Sequence, residues 1–305
     1  MNVCQVPLRP LPAWPIGADA DMPKCLDQHI AYLRQRGLAE TTIHNRVNIL
    51  IMFRKQIGFS LFEATERDLV AWRAQLQLGP EGIVNYCWHI RDFYEWAVQA
   101  RKVRRNPAAK LPVPRLGRRL PRPIEDPALM QALAAADYPV RPMLVLAGWA
   151  GLRAKEIALL RRNNVLDRRH PPALLIATNA TKGRRERTVP MSQFLMAELV
   201  PVLPAAGYVF RRKDGQPGPN TPGRVSQMCN QHLRDCGLSD TLHSLRHRFG
   251  TGTYQASKDL RVTQELMGHA SPVSTAGYAA YDNASAAAAV AALPAPRKLR
   301  AVRHG

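Results

Sequence analysis

The 305-residue chain sets 43 lysines and arginines against 23 aspartates and glutamates, a formal charge of +20, and 46% of its residues are hydrophobic. That apolar share excludes wholesale disorder, and at roughly 100–200 residues per domain the length suggests two domains. The longest nearly unbroken apolar run, Met143–Leu152, is ten residues with two glycines, where a membrane span needs about 20.

The proline-rich start, residues 1–18, reads as a loose leader and lacks the continuous apolar stretch of a signal peptide. Leu26, Ile30 and Leu33 then recur at helical spacing from Pro23 to about Arg36, where Gly37 ends the segment. Thr41 is the expected cap of a second helix carrying Ile43, Val47, Leu50 and Ile57, closed by Gly58. Thr65 opens a third with Leu69, Trp72 and Leu76 on one face, ending at Gly79-Pro80. A fourth runs from about Glu81 to Ala100 on a stripe of Ile83, Tyr86, Ile90, Phe93 and Ala97. These stripes read as core.

From Arg101 to Arg122 there are nine basic residues and no acidic one. Prolines at 107, 112, 114 and 121 keep this stretch from being a membrane-surface helix, so its charge points to a polyanion, with nucleic acid favoured over a merely solvated surface. Leu111–Pro123 reads as an extended linker. Asp126-Pro127 then offers a capped start to a second domain that is helical through Met143–Leu160. Ala173–Thr178 and Arg187–Val189 read as strands around a turn at Lys182-Gly183, with Tyr208–Phe210 a candidate third. Helices are expected again at about 222–236, 241–256, 259–267 and 272–280. The five cysteines, at positions 4, 25, 87, 229 and 236, include no CxxC pair, which argues against a disulfide framework or a structural zinc cluster. A cytoplasmic location is expected.

The second domain also holds a chemical series: Gly151-Leu152-Arg153-Ala154-Lys155-Glu156, Thr181-Lys182-Gly183, His243-Ser244-Leu245-Arg246-His247, Leu266-Met267-Gly268-His269, and Tyr278 nine residues on. Two arginines, a lysine and histidines make a cationic pocket suited to one phosphodiester. Tyrosine, with an ordinary pKa of about 10, becomes a nucleophile when a base or a cationic field activates it. His243 and His247 are also the spacing of a metal pair, though no HExxH glutamate or third ligand accompanies them. Tyr281, three residues later, rivals Tyr278 on the same helical face.

This series resembles the tyrosine recombinases, the family of phage integrases and chromosomal resolvases, from about Pro23 to Tyr281. The resemblance implies a mainly α, two-domain fold. A SAM-like four-helix core-binding domain is expected at 19–110, a basic proline-rich linker at 111–124, and a mixed, mostly helical catalytic domain with a small antiparallel sheet at 125–285. An alanine-rich, basic tail follows at 286–305. A separate arm-site-binding domain is not expected.

Carried over residue by residue, the resemblance makes Tyr278 the nucleophile that forms a 3′-phosphotyrosine. Arg153 and Arg246 would hold non-bridging phosphate oxygens, Lys182 would protonate the leaving 5′-oxygen, His243 would manage the tyrosine proton, and His269 would hydrogen-bond the phosphate. Glu156 would orient a histidine or an arginine, and Arg115, Arg118, Arg119 and Arg122 would contact DNA. No metal or other cofactor is expected. The implied partners are double-stranded core or attachment sites, a homotetramer on synapsed DNA, and an optional excision factor. A temperate-phage or mobile-element integrase leads. A chromosome-dimer resolvase or transposon recombinase is the alternative, ahead of a type IB topoisomerase-like enzyme or a catalytically silent DNA-binding protein.

Overall fold

Apolar residues three and four apart draw the N-terminal segment into helices that bury one face each. The computed structural model describes residues 22–117, 121–177, 186–212, 216, 218–269 and 271–281, in two compact units that divide at Arg118 and Arg119. The first unit contains α1 (Met22–Gln35), α2 (Glu40–Ile57), α3 (Glu66–Gln75) and α4 (Pro80–Gln99). Leu33, Ile43, Val47, Phe53, Leu69, Ile90, Phe93 and Ala97 are fully buried in its core. Ile83 and Tyr86 of the expected stripe are only half-buried and pack against the core from outside.

The start of α2 differs from expectation, and that of α3 does not. Ala39, not Thr41, holds the N-cap position of α2, and it makes no side-chain cap bond. Thr65 does cap α3: its hydroxyl accepts from the Asp68 amide, and its own amide donates to the Asp68 carboxylate at 2.9 Å. After α4, Arg91 donates to the carbonyls of Ala108 and Leu111 at 3.2 and 3.0 Å, which binds the first part of the basic stretch to this unit.

The second unit is built on α6 (Val140–Ala150), whose residues Met143–Ala147 are entirely buried, packed against α10 (Leu242–Ser257). Ahead of α6, α5 (Asp126–Ala134) begins at Asp126 itself, with Glu125 in the cap position. The single helical stretch expected to Leu160 is broken at Gly151, whose φ of +62° ends α6 before α7 (Ala154–Ala158) begins. A Cβ at Gly151 would lie 2.3 Å from Phe249, so glycine is required for space as well as for backbone conformation.

The sheet is antiparallel in the order β1 (Val165–Leu166), β2 (Ala173–Ile176) and β3 (Arg187–Pro190). β2 and β3 pair from Ala173↔Pro190 to Ile176↔Arg187. Tyr208 forms only an isolated bridge to Arg161, and the third strand is β1 instead. The remaining helices are α8 (Gln193–Leu199), which the sequence pattern did not reveal, α9 (Pro222–Asp235), α11 (Leu260–Met267) and α12 (Pro272–Tyr281). The fold is thus mainly α with one small sheet. No described helix is long and apolar enough to cross a membrane.

Candidate active site

Positions 243, 246, 247 and 250 fall on one face of α10, because residues three, four and seven apart share a helical face. Around that face gather the α6–α7 turn with Arg153 and Glu156, the start of β3 with Arg187, the end of α11 with Gly268 and His269, and α12 with Tyr278.

Glu156 is the anionic centre, its side chain wholly buried. It accepts Arg153 Nη1 at 2.9 Å and the Arg153 amide at 2.8 Å. It also takes a two-point fork from Arg187, with Nη1 and Nη2 each at 2.9 Å, and Arg246 Nη1 stands 3.8 Å away. Burial is the largest influence on its acidity and works to raise the pKa, but Arg187, Arg246 and the Arg153 amide together hold it below the ordinary carboxylate value.

Arg246 is 1% exposed. Its guanidinium donates to the Gly151 and Met267 carbonyls, closing α6 and α11 onto α10. Burial and then the charge of Arg153 push its pKa down to about 9, against Glu156, so it stays cationic at neutral pH. Arg153 is half-buried and donates to the Gly268 carbonyl at 3.2 Å.

Tyr278 is 2% exposed. Its ring lies on Gly250, where an added Cβ would come within 2.5 Å of the tyrosine Cζ. Burial raises its pKa to about 12, with Arg246 and Arg153 opposing, so the phenol is protonated in this state. His247 Nδ1 lies 3.2 Å from the Tyr278 hydroxyl oxygen. The His269 ring runs parallel to Tyr278 at 6.1 Å, and its Nδ1 is 3.0 Å from the Thr275 hydroxyl. His243 is exposed and its ring meets His247 edge-on at 4.4 Å; among the described residues it makes no hydrogen bond to Tyr278. Burial, followed by neighbouring cationic groups, lowers the pKa of all three histidines, to about 4 for His247 and His269.

The structure therefore brings Arg153, Glu156, His243, Arg246, His269 and Tyr278 to one place. Lys182, Arg118 and Arg119 lie outside the described residues. Arg115 and Arg122 are described and exposed. Among the described residues, no three His, Cys, Asp or Glu side chains gather as a metal-holding group.

A profile of the phage integrase family matches residues 122–285, more than half of the chain and every element of this cluster. The chain belongs to that family. It is a tyrosine recombinase, an enzyme of site-specific DNA recombination. Tyrosine recombinase XerC of Xylella fastidiosa is 29% identical over 289 residues, covering 86% of this chain and 93% of the relative. XerA of Pyrococcus horikoshii is 26% identical, covering 83% and 87%. Among solved structures, a lambda integrase fragment, crystallised as a dimer bound to a COC′ core site, superposes over 84% of this chain and 94% of that one, with a TM-score of 0.68 and 18% identity. XerH bound to palindromic difH substrate superposes over 88% and 84%, with a TM-score of 0.64 and 19% identity. These structural likenesses carry the fold.

Two residues at the heart of the cluster were not singled out by sequence reasoning. Sequence reasoning gives Arg187 no role beyond the end of the Lys182-Gly183 hairpin and the start of a strand, yet it makes the fork on Glu156 and donates Nε to the Leu266 carbonyl at 2.9 Å. Local sequence carries no signal for this contact, because Arg187 lies 31 positions from Glu156 and reaches it only through the fold. His247 was weighed as half of a metal pair, and its position one turn from His243 did signal a shared face.

Proposed function

We propose that this recombinase cleaves and rejoins double-stranded DNA at short core sites through a 3′-phosphotyrosine on Tyr278, and that it serves as the integrase of a temperate phage or mobile element. The observation that supports it most is the packing of Tyr278 in one cluster with Arg246, Arg153 and Glu156. In this reading the Tyr278 oxygen attacks the scissile phosphorus and the 5′-oxygen leaves. Arg153 and Arg246 take the non-bridging oxygens, where planar forks suit the geometry. Only stabilisation that grows toward the crowded transition state speeds the step. Lys182 protonates the leaving oxygen and His269 hydrogen-bonds the phosphate, while His243, to which the resemblance gives the tyrosine proton, meets the His247 ring and makes no hydrogen bond to the phenol among the described residues. The phosphotyrosine ester conserves the energy of the broken bond, so religation needs no external energy source.

Four protomers on two duplexes would complete the exchange, and Arg115, Arg118, Arg119 and Arg122 would hold phosphates along the site. A chromosome-dimer resolvase is the second reading. Near-full-length likeness to proteins named XerC and XerA favours it.

The test is trapping. A pool of nicked duplexes with randomised cores is incubated with the protein, and denaturation-resistant adducts are isolated and sequenced. Wild type is expected to yield adducts converging on one core sequence, and Tyr278→Phe none. Adduct formation by Tyr278→Phe would end the assignment of the nucleophile. Whether the recovered core matches a mobile-element junction or a chromosomal site separates integrase from resolvase.

A further inference from the structure

From the placement of His247 against the Tyr278 hydroxyl, we infer that His247 is the proton acceptor for the attacking tyrosine. This rests on the reading of Tyr278 as the nucleophile. The phenol is buried, 2% exposed, and protonated, so its proton passes to a neighbouring group as the O–P bond forms.

The groups facing this point can be taken element by element. On α10, His247 presents Nδ1 at 3.2 Å from the hydroxyl oxygen. That is hydrogen-bond reach, the first requirement of a general base. His243, a turn earlier, touches the His247 ring and not the phenol. Arg246 is cationic and accepts nothing. After α11, His269 lies face-on to the ring, with Nδ1 directed to Thr275. Arg153 and Arg187 are engaged with Glu156. His247 is therefore the one of these side chains with a lone pair within reach of the proton.

Its depressed pKa fits the part. Burial, His243 and Arg246 keep the imidazole neutral at pH 7, so a lone pair is available. A phosphodiester drawn onto Arg246 offsets part of that positive field and raises the basicity of His247 when the substrate arrives. The step balances. The Tyr278 O–H bond breaks and its proton goes to His247 Nδ1. The oxygen's electron pair forms the bond to phosphorus, and the P–O5′ bond breaks with its pair on the 5′-oxygen, which takes a proton from Lys182. In religation the 5′-hydroxyl returns that proton to Lys182 as it attacks phosphorus, the Tyr278 O–P bond breaks, and His247 gives its proton back to the phenol oxygen.

The experiment measures single-turnover cleavage of the trapped core duplex by wild type, His247→Ala and His247→Gln, with binding of that duplex measured in parallel. A positioned acid–base group contributes about 10²–10⁴-fold, so cleavage is expected to fall in that range in both variants while DNA binding holds within a few-fold. Added imidazole is expected to restore cleavage to His247→Ala, and the alkaline-rising limb of the wild-type rate profile is expected to vanish in His247→Gln. His247→Gln keeps size and hydrogen-bonding capacity, so it reports even where the alanine variant folds poorly. Cleavage near the wild-type rate, or a slow variant with an unchanged pH profile and no imidazole rescue, would overturn the proposal. Absence of any wild-type adduct would instead strike the recombination reading on which it stands.

Discussion

Glu156 carries one negative charge among three guanidinium groups, which leaves a net charge of about two positives beside Tyr278. In the proposed reaction that surplus would face an anionic phosphoryl transition state, with Arg187 and Arg153 fixed by their hydrogen bonds to Glu156. Removing one partner from a buried ion pair typically costs about 3–5 kcal/mol. Glu156→Gln and Arg187→Gln are each expected to destabilise the catalytic unit by roughly that amount in urea unfolding. The double variant is expected to cost less than the sum, since a coupled pair shows an interaction energy of about 0.5–3 kcal/mol. Strict additivity would show that the fork is energetically idle.

The same carboxylate sets a pH dependence. Its folded pKa is depressed from the ordinary 4.5. It therefore binds fewer protons folded than unfolded, and its contribution is complete above about 4.5 and lost as pH falls through the lower folded value. Unfolding free energy is expected to fall with acidification below 4.5 in wild type. That slope is expected to be shallower in Glu156→Gln, measured by urea titration across the series.

At the scale of an element, α10 works as the backbone of the site because Gly250 admits the Tyr278 ring against it. Gly250→Ala places a methyl group 2.5 Å from Cζ of that ring, an overpacking that typically costs about 1–3 kcal/mol. Slower adduct formation is expected with it, since the ring must tilt away from His247. A wild-type cleavage rate in this variant would mean that α12 relocates freely. The caps of the first unit separate in the same physical way. Thr65 makes a reciprocal pair with Asp68, and Ala39 contributes no oxygen to the start of α2. Thr65→Ala is expected to lose about 1 kcal/mol and Ala39→Ser to gain a comparable amount, read as shifts in the unfolding midpoint.

For the whole molecule, the charge of +20 makes electrostatics the first term in any encounter with DNA. Neutralising Arg115, Arg118, Arg119 and Arg122 together is expected to weaken specific and non-specific duplex binding alike, because phosphate contacts position without reading sequence. Each lost contact flattens the dependence of log K on log salt by about 0.9. The fourfold alanine variant is expected to lose up to roughly 3.6 units of slope across a salt series. An unchanged slope would mean that these arginines face solvent.

Much of this was legible in the residues. Apolar spacing marked α1 to α4, and Gly37 and Gly58 marked helix ends that take positive φ, whereas the break at Gly151 showed only in the fold. The ordered run from Gly151 to Tyr278 marked the chemistry, because periodicity and motif order are local properties that one strand of text preserves. Tertiary structure decided the rest. Arg187 and Glu156 are 31 positions apart, and nothing in local sequence states that β3 delivers a guanidinium to Glu156 on α7. Nor does spacing tell which imidazole meets the phenol: His243 and His247 share a face of α10, and only the approach of α12 sets His247 at 3.2 Å from Tyr278. The strand β1, two residues long, and the short helix α8 are held by their partners more than by their own pattern. Burial made the final difference, since a tyrosine, a glutamate and an arginine take their acidities from what the fold packs around them.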